Sequence, residues 1–209
     1  MATGKFIALE GIDGAGTTTQ TALLVDWLRS RGEAVHTTRE PSDGPVGVLL
    51  RQVLRHRVVV PAGEGASRPL EAGAVALLFA ADRLDHLDAE VHPCLRAGVH
   101  VVSDRYVGSS LAYQSLDLPL SWVRAINARA DAPDLTVLLR LDPVRALARV
   151  SRRQGDAREL YEREETLTRV AACYDALVAD GALANVLVLD AERPIPEVAA
   201  AIREAVAAL

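Results

Sequence analysis

The 209-residue chain is half hydrophobic and carries a formal charge of −5. That balance suits one α/β core of ordinary size and stands against a role coating nucleic acid, which needs a basic face. Cys94 and Cys173 have no close spacing and support neither a disulfide framework nor a zinc pattern.

Aromatic residues make up only 4% of the chain, so Ala, Val and Leu must fill most of the core. The start of the sequence has no basic segment followed by a long apolar stretch, and no apolar run approaches the roughly 18 residues of a membrane span. The expectation is a cytoplasmic protein with no membrane partner.

Residues 6–10 form a short apolar run ending at a glycine loop and read as a buried strand. From Thr17 to Arg31 the spacing turns helical, with Leu23, Leu24, Trp27 and Leu28 on one face and Gly32 as the stop. Residues 34–38 read as a second strand and 46–55 as a helix. The Gly- and Pro-rich stretch 61–69 reads as a surface loop, and 70–96 as largely helical. Strands are expected at 99–103, 135–141 and 186–190, with helices up to Ala130 and over 145–153, 161–180 and 195–209. Alternating strands and helices predict a five-stranded parallel sheet covered on both faces, as one domain over residues 1–209 with a short lid at about 150–160. Ligands of such sheets bind beyond the carboxyl ends of the strands.

Gly11-Ile12-Asp13-Gly14-Ala15-Gly16-Thr17-Thr18 fits the phosphate-binding pattern G-x-x-x-x-G-K-[ST] at every defined position but the lysine, where Thr17 stands. The glycines let successive N–H groups wrap an anion, and the helix that follows points its positive end at it. Thr18 occupies the place of the magnesium-ligating hydroxyl. Lys5 is the single lysine of the chain and precedes the first strand, out of reach of the loop, so a replacing cation must be an arginine or a bound ion.

Arg39 follows the second strand, where it either grips a phosphate or makes a surface ion pair. Asp104, at the end of the third strand, either holds magnesium through water or caps a helix, and Arg105 follows it. Phe79 and Arg83 share a helix face, suited either to stacking on a base and reading its edge or to core packing. Arg149, Arg152, Arg153 and Arg158 surround a helix break and form either a solvated basic face or a lid closing on transferring phosphates.

Taken in order, several segments make the chain similar to the thymidylate kinases: Glu10-Gly11-Ile12-Asp13-Gly14, Thr38-Arg39-Glu40-Pro41, Leu78 to Arg83, Asp104-Arg105-Tyr106 with Ser109, Ala112-Tyr113-Gln114, Pro133-Asp134-Leu135, and Tyr161-Glu162. The resemblance implies a nucleoside monophosphate kinase fold, with ATP and thymidine monophosphate as substrates, Mg²⁺ as cofactor, and a homodimer. The apolar stretches 70–78 and 106–111 suit either a dimer face or the core. The resemblance assigns Asp13 to the acceptor's sugar hydroxyl and Arg39 to its phosphate, with Arg105 helping and also touching the donor. Phe79 would stack on thymine, Arg83 would bond its edge, Ser109 and Gln114 would add polar contacts, and Tyr113 would exclude ribose. Arg149 would pack on the donor adenine, residues 190–193, Arg193 among them, would line its pocket, and Asp104 would organise magnesium with Thr18. The family carries a catalytic arginine in the phosphate loop or in the lid. With Ala15 at the loop position, this chain resembles the lid type, with Arg153 and Arg158 as candidates beside the catalytic Arg105 and Asp104.

The implied reaction is in-line transfer of the γ-phosphoryl group to an acceptor phosphate that is already nucleophilic, driven by positioning and charge neutralisation. Three other readings stand beside it. They are a kinase for another pyrimidine or modified deoxynucleotide, a nucleotide-binding regulator, and a P-loop hydrolase.

Overall fold

The computed structural model describes residues 3–63, 65–151 and 157–209, with side chains described at 3–63, 65–150 and 164–209. Strand β1 (Phe6–Gly11) is buried throughout, and helix α1 (Thr17–Ser30) follows after the glycine loop. Strand β2 (Val35–Arg39) leads to α2 (Pro45–Leu54), which begins with a proline whose missing N–H costs nothing at a helix start. The stretch expected as a plain loop contains a small antiparallel hairpin, β3 (Val60–Pro61) with β4 (Ser67–Arg68). Helix α3 (Ala72–His86) runs through a π turn at Leu87–Val91 into α4 (His92–Arg96). Pro93 has no N–H to close on the preceding turn, and the ladder widens just before it.

Strand β5 (His100–Asp104) is followed by α5 (Val107–Tyr113), a 3₁₀ turn at Gln114–Leu116, and α6 (Leu120–Ile126). Strand β6 (Leu135–Arg140), helices α7 (Pro143–Ser151) and α8 (Ala157–Ala179), strand β7 (Val186–Asp190) and helix α9 (Ile195–Ala207) complete the described chain.

The main sheet has five strands in the order β2-β5-β1-β6-β7, and each of its pairings is parallel. Central β1 alternates its side chains between two apolar clusters. Ile7 and Leu9 join the larger, with Leu24, Leu28 and Ile202, while Phe6 and Ala8 join the smaller, with Val91, Val101 and Tyr106. Successive strand residues point to opposite faces, so both faces are covered by helices. Ile7 and Leu9 are fully buried, and each such side chain contributes about 1.5–3 kcal/mol. The carboxyl ends of β1, β2, β5 and β7 thereby bring Gly11, Arg39, Asp104 and Asp190 to one edge.

Candidate active site

A cleft of about 620 Å³ opens at that edge, lined by residues 13–20, Arg39, Glu40, Asp104, Arg105, Arg149, Ala191 and Arg193, among others. Its floor is the glycine loop. Gly14 and Gly16 have φ of 89° and 98°, in the left-handed region that favours glycine. A Cβ on Gly14 would also stand 2.6 Å from the Ala146 carbonyl oxygen. Helix α1 starts at Thr17 with no side-chain cap on its first N–H groups and no acidic residue in its first turn. Its N–H groups and dipole are therefore free to receive an anion.

Thr18 donates its hydroxyl to Asp104 Oδ2 at 2.5 Å, while Asp104 Oδ1 is buried and has no hydrogen-bond partner. A hydroxyl beside a carboxylate with an unsatisfied oxygen is a donor set that fits a hard divalent cation. Among the described residues no three His, Cys, Asp or Glu side chains gather as a metal cage. Such a cation would take its other ligands from phosphate and water.

Thr17, at the lysine position, is buried. Lys5 pairs with Asp134 at 3.4 Å instead. Among the described residues, the cations around the cleft are Arg39, Arg105, Arg149 and Arg193. Arg149 bonds the carbonyls of Ala191 at 3.0 Å and Gly14 at 3.4 Å, tying the glycine loop to the turn after β7. Arg193 pairs with Glu197 at 3.0 Å, and Asp190 accepts the Glu192 N–H at 2.8 Å. Arg153 lies outside the described residues, and Arg158 falls in the first turns of α8.

Arg105 has φ of 76°, an uncommon conformation for a side-chain-bearing residue and one found where a site constrains the chain. Its guanidinium donates to the Gly11 carbonyl at 2.8 Å and to Asp13 Oδ1 at 2.6 Å, and it sits 5.4 Å from the centre of the Tyr113 ring. The Tyr113 hydroxyl accepts the Asp13 N–H at 3.0 Å. Burial pushes the Tyr113 phenol up to about 12, so it stays protonated. Arg39 is exposed and reaches Asp43 at 3.2 Å. The turn behind it is held by buried groups, with Ser42 donating its hydroxyl at 2.5 Å and its N–H at 2.8 Å to Asp82.

The structure sets three placements that residue type left open. Arg83, expected at the base edge, comes from α3. It is buried, paired with Glu40 Oε2 at 2.7 Å, and it donates to Ser110 Oγ at 2.9 Å and to Asn127 Oδ1. Ser109 is turned inward, donating to Glu10 Oε2 at 2.6 Å and accepting from Arg105 at 3.1 Å. It is Ser110 that meets Gln114, whose amide donates to it at 3.2 Å. The segment 106–111 is core rather than an exposed face, since Tyr106 and Leu111 are 1% and 3% exposed. In each case helix α5 or α3 turns the side chain toward the sheet, a rotation that residue type alone does not set. Two atoms of the Arg83–Ser110–Gln114 cluster, Arg83 Nε and Gln114 Oε1, are buried without a partner. Phe79, half-buried on α3, joins neither apolar cluster.

Residues that sequence reasoning gave no role also converge here. Glu40 and Asn127 hold Arg83, and His86 Nδ1 lies 3.3 Å from Glu40 Oε1. Burial works against the His86 cation, but the Glu40 hydrogen bond and the charges of Glu40, Glu90 and Asp82 outweigh it and raise the pKa. Glu10 is fully buried on β1, and burial pushes its carboxyl above the usual range. Its one legible signal was being the sole charge in an apolar strand run.

A phosphate cradle, a cation-ready carboxylate and four arginines around one cleft of a parallel sheet define an ATP-dependent nucleoside monophosphate kinase, a phosphotransferase. The profile of the thymidylate kinase family matches residues 9–202. The thymidylate kinase of Leifsonia xyli is 44% identical, with 96% of this chain and 93% of that protein covered. The thymidylate kinase of Clavibacter michiganensis is 42% identical over 99% and 96%, and a probable thymidylate kinase of Pyrococcus horikoshii is 43% identical over 72% and 71%. The chain belongs to the thymidylate kinase family.

Proposed function

We propose that the protein transfers the γ-phosphoryl group of ATP to thymidine monophosphate, giving the diphosphate and ADP. The observation that carries this reading is the division of one cleft into two charged halves. The glycine loop, Thr18 and Asp104 suit the donor phosphates, and Arg39 with the Arg105–Asp13 pair suits an acceptor phosphate and sugar. Arg149 and Arg193 border the donor end, toward Ala191. Thr18 and Asp104 would hold Mg²⁺, which when bound neutralises charge on the donor phosphates.

On the acceptor side, Asp13 takes the sugar hydroxyl and Tyr113 closes the space beside it. Phe79, outside both cores, stacks on the base. The unpartnered donor Arg83 Nε and acceptor Gln114 Oε1 complement the acceptor-and-donor edge of thymine. The acceptor phosphate needs no strong base, so the residues act by alignment and by charge. Lid arginines Arg153 and Arg158 supply the charge that Thr17 lacks.

The reading includes a homodimer in the cytoplasm. Helices α2 and α3 pack on one another and expose Val48, Leu49, Leu54, Leu77 and Leu84, an apolar surface of the kind that marks an interface. No helix among the described residues is long and apolar enough to cross a membrane. The deciding experiment measures ADP release with ATP, Mg²⁺ and a panel of nucleoside monophosphates. The largest kcat/KM is expected with thymidine monophosphate, and absence of turnover with it defeats the reading.

A further inference from the structure

Glu10 poses a problem of physical chemistry. It is 0% exposed in the central strand, where a carboxylate is costly and an apolar side chain would pack at no such cost. Every group around it is a donor. Oε1 accepts the Tyr106 N–H at 3.0 Å, and Oε2 accepts the Ser109 hydroxyl at 2.6 Å and the Tyr174 hydroxyl at 3.0 Å. With its proton committed to Glu10, Ser109 Oγ has lone pairs to offer, and Arg105 Nη1 donates to it at 3.1 Å. The same Arg105 nitrogen holds the Gly11 carbonyl at 2.8 Å, and its twin holds Asp13 at 2.6 Å. A directional chain of donation thus runs from Arg105 through Ser109 into Glu10, with Tyr174 fixing the far end.

We propose that Glu10 and Tyr174 are positioning residues, which set the orientation of Arg105, and through it of Asp13, for the acceptor nucleotide. The inference rests on the acceptor-side reading of the cleft given above. Two further features support it. The ring of Tyr174 belongs to the apolar core, so its hydroxyl is an addition that packing does not need. Tyr174 also lies on α8, the helix that leads out of the segment 150–160. The helix behind the expected lid is therefore keyed to the acceptor-side arginine through the Tyr174 O–H. Gly108 leaves the room for this arrangement, since a Cβ there would stand 2.8 Å from Glu10 Oε1.

The test compares Tyr174→Phe, Ser109→Ala and Glu10→Gln with the unaltered protein in steady-state kinetics against both substrates, alongside thermal melts. The unaltered protein is first run over the monophosphate panel, and the best acceptor is used throughout. Failure with thymidine monophosphate at that stage counts against the substrate reading. The ratio of variant to unaltered protein on the best acceptor decides the present inference.

Tyr174→Phe keeps the ring and removes only the O–H. It is expected to lower kcat/KM for the acceptor about tenfold, with KM for ATP within about twofold and a melting temperature within a few degrees, because loosening a positioned group by a fraction of an ångström costs alignment. Ser109→Ala should reproduce that split. Glu10→Gln turns an N–H toward one of three donors and should cost about 10²-fold. The inference is overturned if Tyr174→Phe and Ser109→Ala both leave acceptor kcat/KM within twofold. It is equally overturned if they depress ATP and acceptor parameters alike together with the melting temperature, as a merely structural role would.

Discussion

Replacing Glu40 with alanine tests the buried charge cluster behind the acceptor site. The Arg83 and Glu40 side chains are 2% and 3% exposed and meet at 2.7 Å. Without Glu40, the guanidinium keeps Ser110, Asn127 and the Tyr106 ring, centred 5.3 Å away, but no counter-charge in contact. Stranding a buried charge in this way costs about 3–5 kcal/mol. At roughly 2–4 °C per kcal/mol for a chain of this size, the melting temperature should fall by about 6–20 °C.

A pH signature accompanies the loss. His86, raised above its ordinary value with Glu40's help, contributes stability that is complete below the unfolded histidine pKa and is lost as pH rises through the folded one. Removing Glu40 removes much of that contribution, so the deficit should be larger at pH 6 than at pH 8. Circular-dichroism melts and urea titrations at both pH values read the effect. Glu40→Leu with Arg83→Met should recover most of the loss, because an apolar pair avoids the stranded charge. A deficit below about 1 kcal/mol, or a double variant no more stable than Glu40→Ala, would refute the argument.

Three further outcomes are expected. Asp104→Asn removes the carboxylate charge beside Thr18 and puts an amide N–H in place of one oxygen, and should lower kcat by about 10²–10³-fold, with partial recovery at high Mg²⁺ in a coupled ADP assay. Arg153→Ala and Arg158→Ala, made singly, should include at least one with turnover reduced tenfold or more and nucleotide binding retained by calorimetry. If neither loses turnover, lid arginines do not replace the loop lysine. Leu77→Glu, at a side chain 51% exposed on α3, should convert a dimer to a monomer in light scattering, and an unchanged mass would place the interface elsewhere.

The strands and helices were legible because their signals are local. An apolar run of five, a Gly-rich turn and a following amphipathic stretch need no distant partner to be read, and β1, the loop and α1 fall where that pattern puts them. The π turn before Pro93 and the hairpin at Val60–Pro61 and Ser67–Arg68 were not legible, since a widened turn and a two-residue pairing leave little periodicity. In the site, the residues placed by motif at the carboxyl ends of β1, β2 and β5 line one cleft: Asp13, Thr18, Arg39, Asp104 and Arg105. The ligand roles of Arg83 and Ser109 came from the resemblance, which carries no side-chain direction. Their partners come from β1, α6 and the turn after β2, and no spacing rule connects those segments.

The order of residues by itself determined the class of fold, the position of the phosphate loop, the vacancy of its lysine position and membership of a kinase lineage. Each of these is written in consecutive residues or in apolar periodicity. Only the tertiary structure decided which polar groups face the cleft and which are spent inside. Whether Arg83 or Ser109 touches a ligand depends on how α3 and α5 are rotated against the sheet. That rotation is set by close packing across elements far apart in the chain.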